Sequence, residues 1–311
     1  MLATAPRYYA PLLTLSAISD MLCRMTVSLI TGTTSGLGLA TARALLDRGD
    51  QVIAAVRDPE RATRLLPGVE ARRLDLADLD SVRTFAGDLR ADHRHLDLLI
   101  NNAGVMGMPR TLTAQGHELQ FGVNHLGHFA LTGLLLDLLA AGRDPRVVTV
   151  SSSLHRKGEL RFDDLTGATG YRPMVAYNQS KLANAVFGLQ LHRRLIAAGN
   201  PIRSVLAHPG FTRTNMQRAG TVGANRLMLR LATPLIAQSA ARGALSILYA
   251  ATADPVRGGD FYGPSGPGEL RGDPKLVESS ADARDPQLGA RLWTVSEQLT
   301  GVRYALESHS L

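Results

Sequence analysis

Apolar runs of strand length alternate with amphipathic stretches of helix length along most of the chain. The runs at 27–31, 51–56, 69–74, 96–101, 146–151 and 202–207, with a short one near 260–262, lack the one-sided alternation of a sheet that faces solvent. They predict strands buried on both sides. Between them, apolar residues recur at helical spacing over 37–48, 78–93, 113–140, 175–198 and 239–252. This order predicts an α/β fold, a doubly wound parallel sheet with helices on both faces. No linker or internal repeat divides residues 25–311, which read as a single domain.

Three stretches stand apart from this rhythm. Residues 1–24 contain a mildly apolar run at 8–18, but only Arg7 precedes it and Pro11 interrupts it. It therefore has neither the charged start of a signal peptide nor the length of a membrane span. With Met21 and Met25 just before the first strand, this segment reads as a dispensable extension outside the core. Residues 212–236 are apolar, with Met216, Leu227, Met228 and Leu235 among them. Methionine adapts to irregular apolar shapes, which suits a lid over a bulky lipophilic ligand as well as a packed helix pair. The stretch 263–311 is rich in Gly and Pro and then amphipathic around Leu292, Trp293 and Leu299. It is expected to wrap the domain or to meet another copy, which leaves a homo-oligomer open.

Composition narrows the partners. A 45% hydrophobic, 20% charged chain is that of an ordinary globular protein. The formal charge of +7 is spread over dispersed arginines, so a solvated surface is expected and no nucleic acid partner. A single cysteine, Cys23, excludes an intramolecular disulfide and a cysteine-built zinc site. The expected setting is reducing and cytoplasmic.

The first candidate for chemistry lies between the first strand and the first helix, at Thr31-Gly32-Thr33-Thr34-Ser35-Gly36-Leu37-Gly38. Glycines there let the backbone turn tightly and approach a pyrophosphate at the positive end of the next helix. No Gly-Lys-Ser/Thr follows, which excludes a P-loop. The second strand ends Val56-Arg57-Asp58. Val56 stands where an acid would bind the 2′-hydroxyl of NAD, whereas Arg57 can grip a 2′-phosphate. NADP(H) is therefore expected in preference to NAD(H), with Asp58 capping the helix that begins at Pro59.

The second candidate is Tyr177 with Lys181, one helical turn apart on one face. A free phenol titrates near pH ~10. A cation about 4–5 Å away, at an effective dielectric of roughly 20, would favour the anion by on the order of 3–4 kcal/mol. The pair reads as a proton-transfer device. Only three of the 34 basic residues are lysine, so a compact ammonium here, in place of arginine's fork, is itself a signal. The fifth strand ends in Ser151-Ser152-Ser153, which brings hydroxyls to the carboxyl edge of the sheet, where open α/β folds bind ligands.

Four histidines read as less specific. His125 and His128 share a helix without an acidic or cysteine partner arranged around them, so packing or capping is expected and no metal. His155 follows Ser152 without the Gly-x-Ser-x-Gly elbow of a hydrolase. His208, before Pro209 and Gly210, reads as structural.

With the glycine turn, Asn101-Asn102-Ala103-Gly104 after the fourth strand, Ser152, and Tyr177 through Lys181 in order, residues 25–265 resemble the short-chain dehydrogenase/reductase family. Within it, Val123-Asn124-His125-Leu126-Gly127-His128-Phe129 and 177–184 look most like the retinol dehydrogenase and WW-domain oxidoreductase branch. Protochlorophyllide reductases share 35–41 and the His-Leu-Gly-His segment, but they typically use a cysteine near the pigment, and Cys23 lies in the extension. The resemblance implies a Rossmann-type fold and a set of roles. Tyr177 would be the acid/base, and Lys181 would lower its pKa and bond the nicotinamide ribose. Ser152 would hold the substrate oxygen, and Asn124 would anchor a water behind Lys181. Gly32, Thr33, Ser35, Gly36, Leu37 and Gly38 would cradle the pyrophosphate, Arg57 the 2′-phosphate, and Asp75 with Leu76 the adenine. Asn102, Ala103 and Gly104 would line the centre of the cofactor site. Pro209, Gly210 and either Thr212 or Thr214 would hold the nicotinamide amide. The expected activity interconverts a carbonyl and an alcohol on a small lipophilic substrate. The competing readings are an NADPH-binding sensor without turnover and a protochlorophyllide-reductase-like double-bond reductase.

Overall fold

The computed structural model describes residues 25–212 and 237–306. In chain order it contains β1 (Val27–Thr31), α1 (Gly36–Asp47), β2 (Gln51–Val56), α2 (Pro59–Leu65), β3 (Glu70–Arg73), α3 (Leu79–Asp92) and β4 (Leu98–Asn101). Helix α4 runs Leu119–Phe121, widens to a π turn over Gly122–Leu126 and continues as Gly127–Leu134; α5 (Leu136–Ala140) follows. The remainder comprises β5 (Arg146–Val150), α6 (Pro173–Ala197), β6 (Arg203–Ala207), α7 (Ala240–Thr252), β7 (Phe261–Pro264), β8 (Pro274–Leu276), α8 (Ala281–Arg284) and α9 (Pro286–Thr300).

The strands form one sheet in the order β3-β2-β1-β4-β5-β6-β7-β8. All pairs are parallel except β7 with β8. Successive residues on a strand point to opposite faces, so each strand feeds two cores. Leu29, Leu99 and Val147 pack with α3, α4 and α6 on one side. Ile30, Ile100, Val148 and Val205 pack with α1 and α7 on the other. Both faces are covered, which is why the strands lack polar alternation. Strand order reverses between β1 and β4, and that switch point opens a crevice at the carboxyl edge.

Departures from the sequence pattern have local causes. The third run does not form a strand buried on both sides: β3 carries Glu-Ala-Arg-Arg at the sheet's end and is half exposed. The stretch 113–140 is not one helix. Glu118 caps α4 by accepting hydrogen bonds from Gln120 and Phe121 N–H, so the helix starts there, and Leu135, at ψ 9°, breaks it before α5. Asp58 caps α2 through Arg61 N–H. Strand β8 follows the Gly- and Pro-rich segment and carried no period of its own. Residues 1–24, with Met21 and Cys23, and residues 213–236, with Thr214 and Met216, lie outside the described residues. Among the described residues no helix is long and apolar enough to cross a membrane.

Helix α9 joins the core through Trp293, which is buried against Phe129, Tyr304 and Phe187, with the Arg194 guanidinium 4.4 Å from its ring. Trp293→Ala is expected to destabilise the protein by about 3–5 kcal/mol, the usual loss for a buried aromatic. Urea unfolding followed by circular dichroism measures this; a loss under about 1 kcal/mol would mean that α9 only rests on the surface.

Candidate active site

Three strand ends build the crevice. After β1, the chain turns at Gly32, whose φ of 75° favours glycine. A Cβ at Gly38 would collide with the Gly32 carbonyl and crowd the Asn102 amide, so α1 can start this close to the turn only with glycine. Ser35 stands at the N-cap of α1 without spending its side chain on the helix, and Thr33 Oγ1 is buried without a partner. Unused donors at a helix N-terminus and an orphaned hydroxyl fit a pyrophosphate.

After β4, the Asn102 amide donates to Thr31 O at 2.8 Å, and Asn102 and Ala103 N–H donate to Thr31 Oγ1 at 3.0 and 2.9 Å. This fastens the Asn-Asn-Ala-Gly turn to the glycine turn. A Cβ on Gly104 would lie 3.1 Å from Asn124 Oδ1 and 3.7 Å from Lys181 Nζ, so the missing side chain keeps that face open. After β3, Asp75 Oδ1 accepts from Ala77 N–H, and the Leu76 side chain is buried in the core. Arg57 is exposed and forms no ion pair among the described residues.

Tyr177 and Lys181 lie on α6, opposite the end of β5. Ser151 donates to Lys181 O at 2.8 Å, which removes it from chemistry. Ser152 Oγ accepts from Leu154 N–H and lies close enough to the Tyr177 phenol to oppose the upward shift of its pKa. Lys181 Nζ donates to Val150 O at 3.1 Å and sits 5.8 Å from the centre of the Tyr177 ring. Asn124, fully buried in the π turn, accepts from Val105 N–H and donates to Val105 O and to Ser180 Oγ at 2.9 Å. Ser180 in turn donates to Tyr177 O.

Burial dominates the electrostatics here. It pushes the Tyr177 phenol up to about 12, against which the Ser152 hydrogen bond works, and pushes the Lys181 ammonium down to about 8. The expected lowering of the phenol by the ammonium is not seen, because Nζ is held by the Val150 carbonyl rather than pointed at the phenol oxygen. After β6, Thr212 donates to Pro209 O, and Phe211 N–H donates to Leu270 O. Glu269, the only non-glycine with positive φ among the described residues at 56°, holds His208 Nε2 at 2.9 Å and Arg156 through both oxygens.

A family model described as short chain dehydrogenase matches residues 26–222. The chain belongs to that family. It is 43% identical over 290 residues to a polyprenol dehydrogenase of Mus musculus, covering 88% of this chain and 84% of that one. It is 38% identical over 294 residues to retinol dehydrogenase 14 of Mus musculus, with 88% and 85% covered. The crystal structure of an uncharacterized protein from Mycobacterium Paratuberculosis superposes with a TM-score of 0.75 at 44% identity, covering 90% and 95%. This short-chain dehydrogenase is therefore an oxidoreductase of the retinol and polyprenol dehydrogenase branch.

Some residues that hold the site carried little sequence signal. Thr31 looked like the last residue of a strand, yet its hydroxyl organises the turn after β4. His155 does not pair with the Ser152 hydroxyl: its Nδ1 contacts Ser152 O at 2.7 Å, and its Nε2 accepts from Ser280 N–H. Thr214 lies outside the described residues, so of the two threonines only Thr212 is placed. For Lys181, a folded pKa near 8 against 10.5 in the free side chain means that the unfolded chain binds more protons between these values. Stability therefore rises with pH across that window and is lost again as pH falls through the folded value. Lys181→Met is expected to flatten this rise, as measured by urea unfolding at pH values spanning the window; an unchanged slope would refute the buried ammonium.

Proposed function

We propose that this dehydrogenase interconverts a carbonyl and an alcohol on a lipophilic small molecule with NADP(H), using Tyr177 as acid and base. The observation that carries this reading is the convergence of Ser152, at the end of β5, with Tyr177 and Lys181 on α6, beside a glycine turn with an orphaned buried hydroxyl. When bound, the nicotinamide supplies or accepts the hydride. Gly32 to Gly38 and the N-terminus of α1 would hold its pyrophosphate, Arg57 the 2′-phosphate, and Asn102 to Gly104 with Lys181 the nicotinamide half.

Ser152 Oγ holds the substrate oxygen within reach of Tyr177 Oη. In the reducing direction Tyr177 Oη gives its proton to that oxygen; in the oxidising direction it takes the proton back. A phenol kept protonated by burial suits the first of these directions in the free chain. The second requires that Lys181 leave the Val150 carbonyl and face the phenolate. A lipophilic substrate is supported by the names of the relatives, polyprenol and retinol dehydrogenases, and by Met174 and Val175, exposed near the start of α6 a turn before Tyr177. An NADPH sensor would have no use for the Ser152 and Tyr177 pair.

Purified protein is expected to oxidise NADPH with lipophilic aldehydes or ketones. Tyr177→Phe should lower kcat by about 10²–10⁴-fold while the Kd for NADPH moves by less than about tenfold, and full activity in this variant would sink the mechanism. Arg57→Ala should weaken NADPH by about tenfold or more, the worth of a charge-assisted hydrogen bond, and NADH far less. Fluorescence titration reads both affinities; equal losses would remove the 2′-phosphate role.

A further inference from the structure

His128 is fully buried on α4, one turn beyond Asn124, and both of its ring nitrogens are engaged. Nδ1 lies 3.0 Å from Asn124 O, and Nε2 lies 2.9 Å from Thr31 Oγ1. A carbonyl oxygen can only accept, so Nδ1 carries a proton. Thr31 Oγ1 already accepts from Asn102 and Ala103 N–H, which occupies its two lone pairs and leaves its own proton to give. The two receivers within reach are Ile100 O at 3.4 Å and His128 Nε2 at 2.9 Å, and the shorter contact is the better bond. Nε2 is therefore the acceptor. A second ring proton is opposed by complete burial, with Lys181 adding to that opposition and the Asn124 carbonyl working against it, and the ring is held down to about 4.

We propose that His128 is a positioning residue that couples the cofactor cradle to the proton-transfer side chains through one fixed tautomer, the neutral ring protonated on Nδ1. On one side, the Thr31 hydroxyl that His128 orients carries the Asn102 to Gly104 turn, whose last residue lies beside Lys181 Nζ. On the other, the Asn124 main chain that it fixes carries the amide that holds Val105 and Ser180, and Ser180 holds Tyr177 O. One imidazole thus sets the distance between the floor of the cofactor site and the acid/base helix. The proposal rests on the site described under the proposed function, but two of its tests need no turnover.

The first test reads the tautomer in the wild-type protein by ¹⁵N NMR of the histidine rings, with His128→Gln used to assign the signal. A neutral ring protonated on Nδ1 is expected at neutral pH. A ring protonated on Nε2, or an imidazolium, overturns the proposal. The second test separates the two arms. In His128→Asn the amide stands near the former Nδ1 and keeps the Asn124 arm; in His128→Gln it reaches toward Thr31 and keeps that arm. A crossed pattern is expected. The asparagine variant should lose about tenfold in NADPH affinity with a smaller loss in kcat, and the glutamine variant about tenfold in kcat with a smaller loss in affinity, the worth of one buried hydrogen bond in each arm. Parallel losses in both variants, or no loss in either, would reduce His128 to core packing. Should one variant fail to fold, the other assigns the His128 signal and the NMR result decides. Should the wild type turn over no carbonyl compound, the proposed function fails, while the tautomer and the NADPH affinities still decide the role of His128.

Discussion

Main-chain groups at the carboxyl ends of β1, β4 and β5 lie out of water with no further strand residue to pair with, and each unpaired one would cost about as much as a lost hydrogen bond. The site is built from the side chains that meet this need. Asn102 serves Thr31 O, and Lys181 and Asn184 both serve Val150 O. The residues that would carry out chemistry are thus among those that seal the edge of the sheet. Hydrogen bonds to the sheet edge hold these side chains in place in the free protein.

Sealing has an electrostatic consequence. Four groups around the crevice are driven toward their neutral forms by burial: the Tyr177 phenol upward, the Lys181 ammonium and the His128 and His155 rings downward. A site of this kind holds its protons tightly and in few places. His128 and His155 act as fixed spacers, each bridging two backbone or hydroxyl groups of different elements. In the proposed function the proton transfer falls to Tyr177 with Ser152, whose interaction opposes the upward shift of the phenol.

Much of this was legible in the chain. The parallel sheet followed from apolar runs without alternation, and the glycine turn from its place between a strand and a helix. Tyr177 and Lys181 followed from helical spacing and from the rarity of lysine. The missed parts share a physical reason. Strand β8 is fixed by pairing with β7 and not by any pattern of its own. The start of α4 at Leu119 depends on a single capping carboxylate at the end of an otherwise helix-like stretch. The lowering of the phenol expected from Lys181 is missing because spacing gives a shared face but not the rotamer, and in this structure Nζ donates to the Val150 carbonyl. Thr31 and His128 lie 97 positions apart, and no local pattern reports a contact of that range.

The antiparallel strand β8 has a bearing on what the edge of the sheet can pair with. An open sheet invites an incoming strand wherever its last strand offers a long row of free backbone groups. Here one end is β3, with Glu70, Arg72 and Arg73 in four residues, and the other is a three-residue strand that begins with a proline and runs against its neighbour. Neither is a good template for strand addition. Both edges of the described sheet therefore offer little to the edge-to-edge pairing from which β-aggregates start.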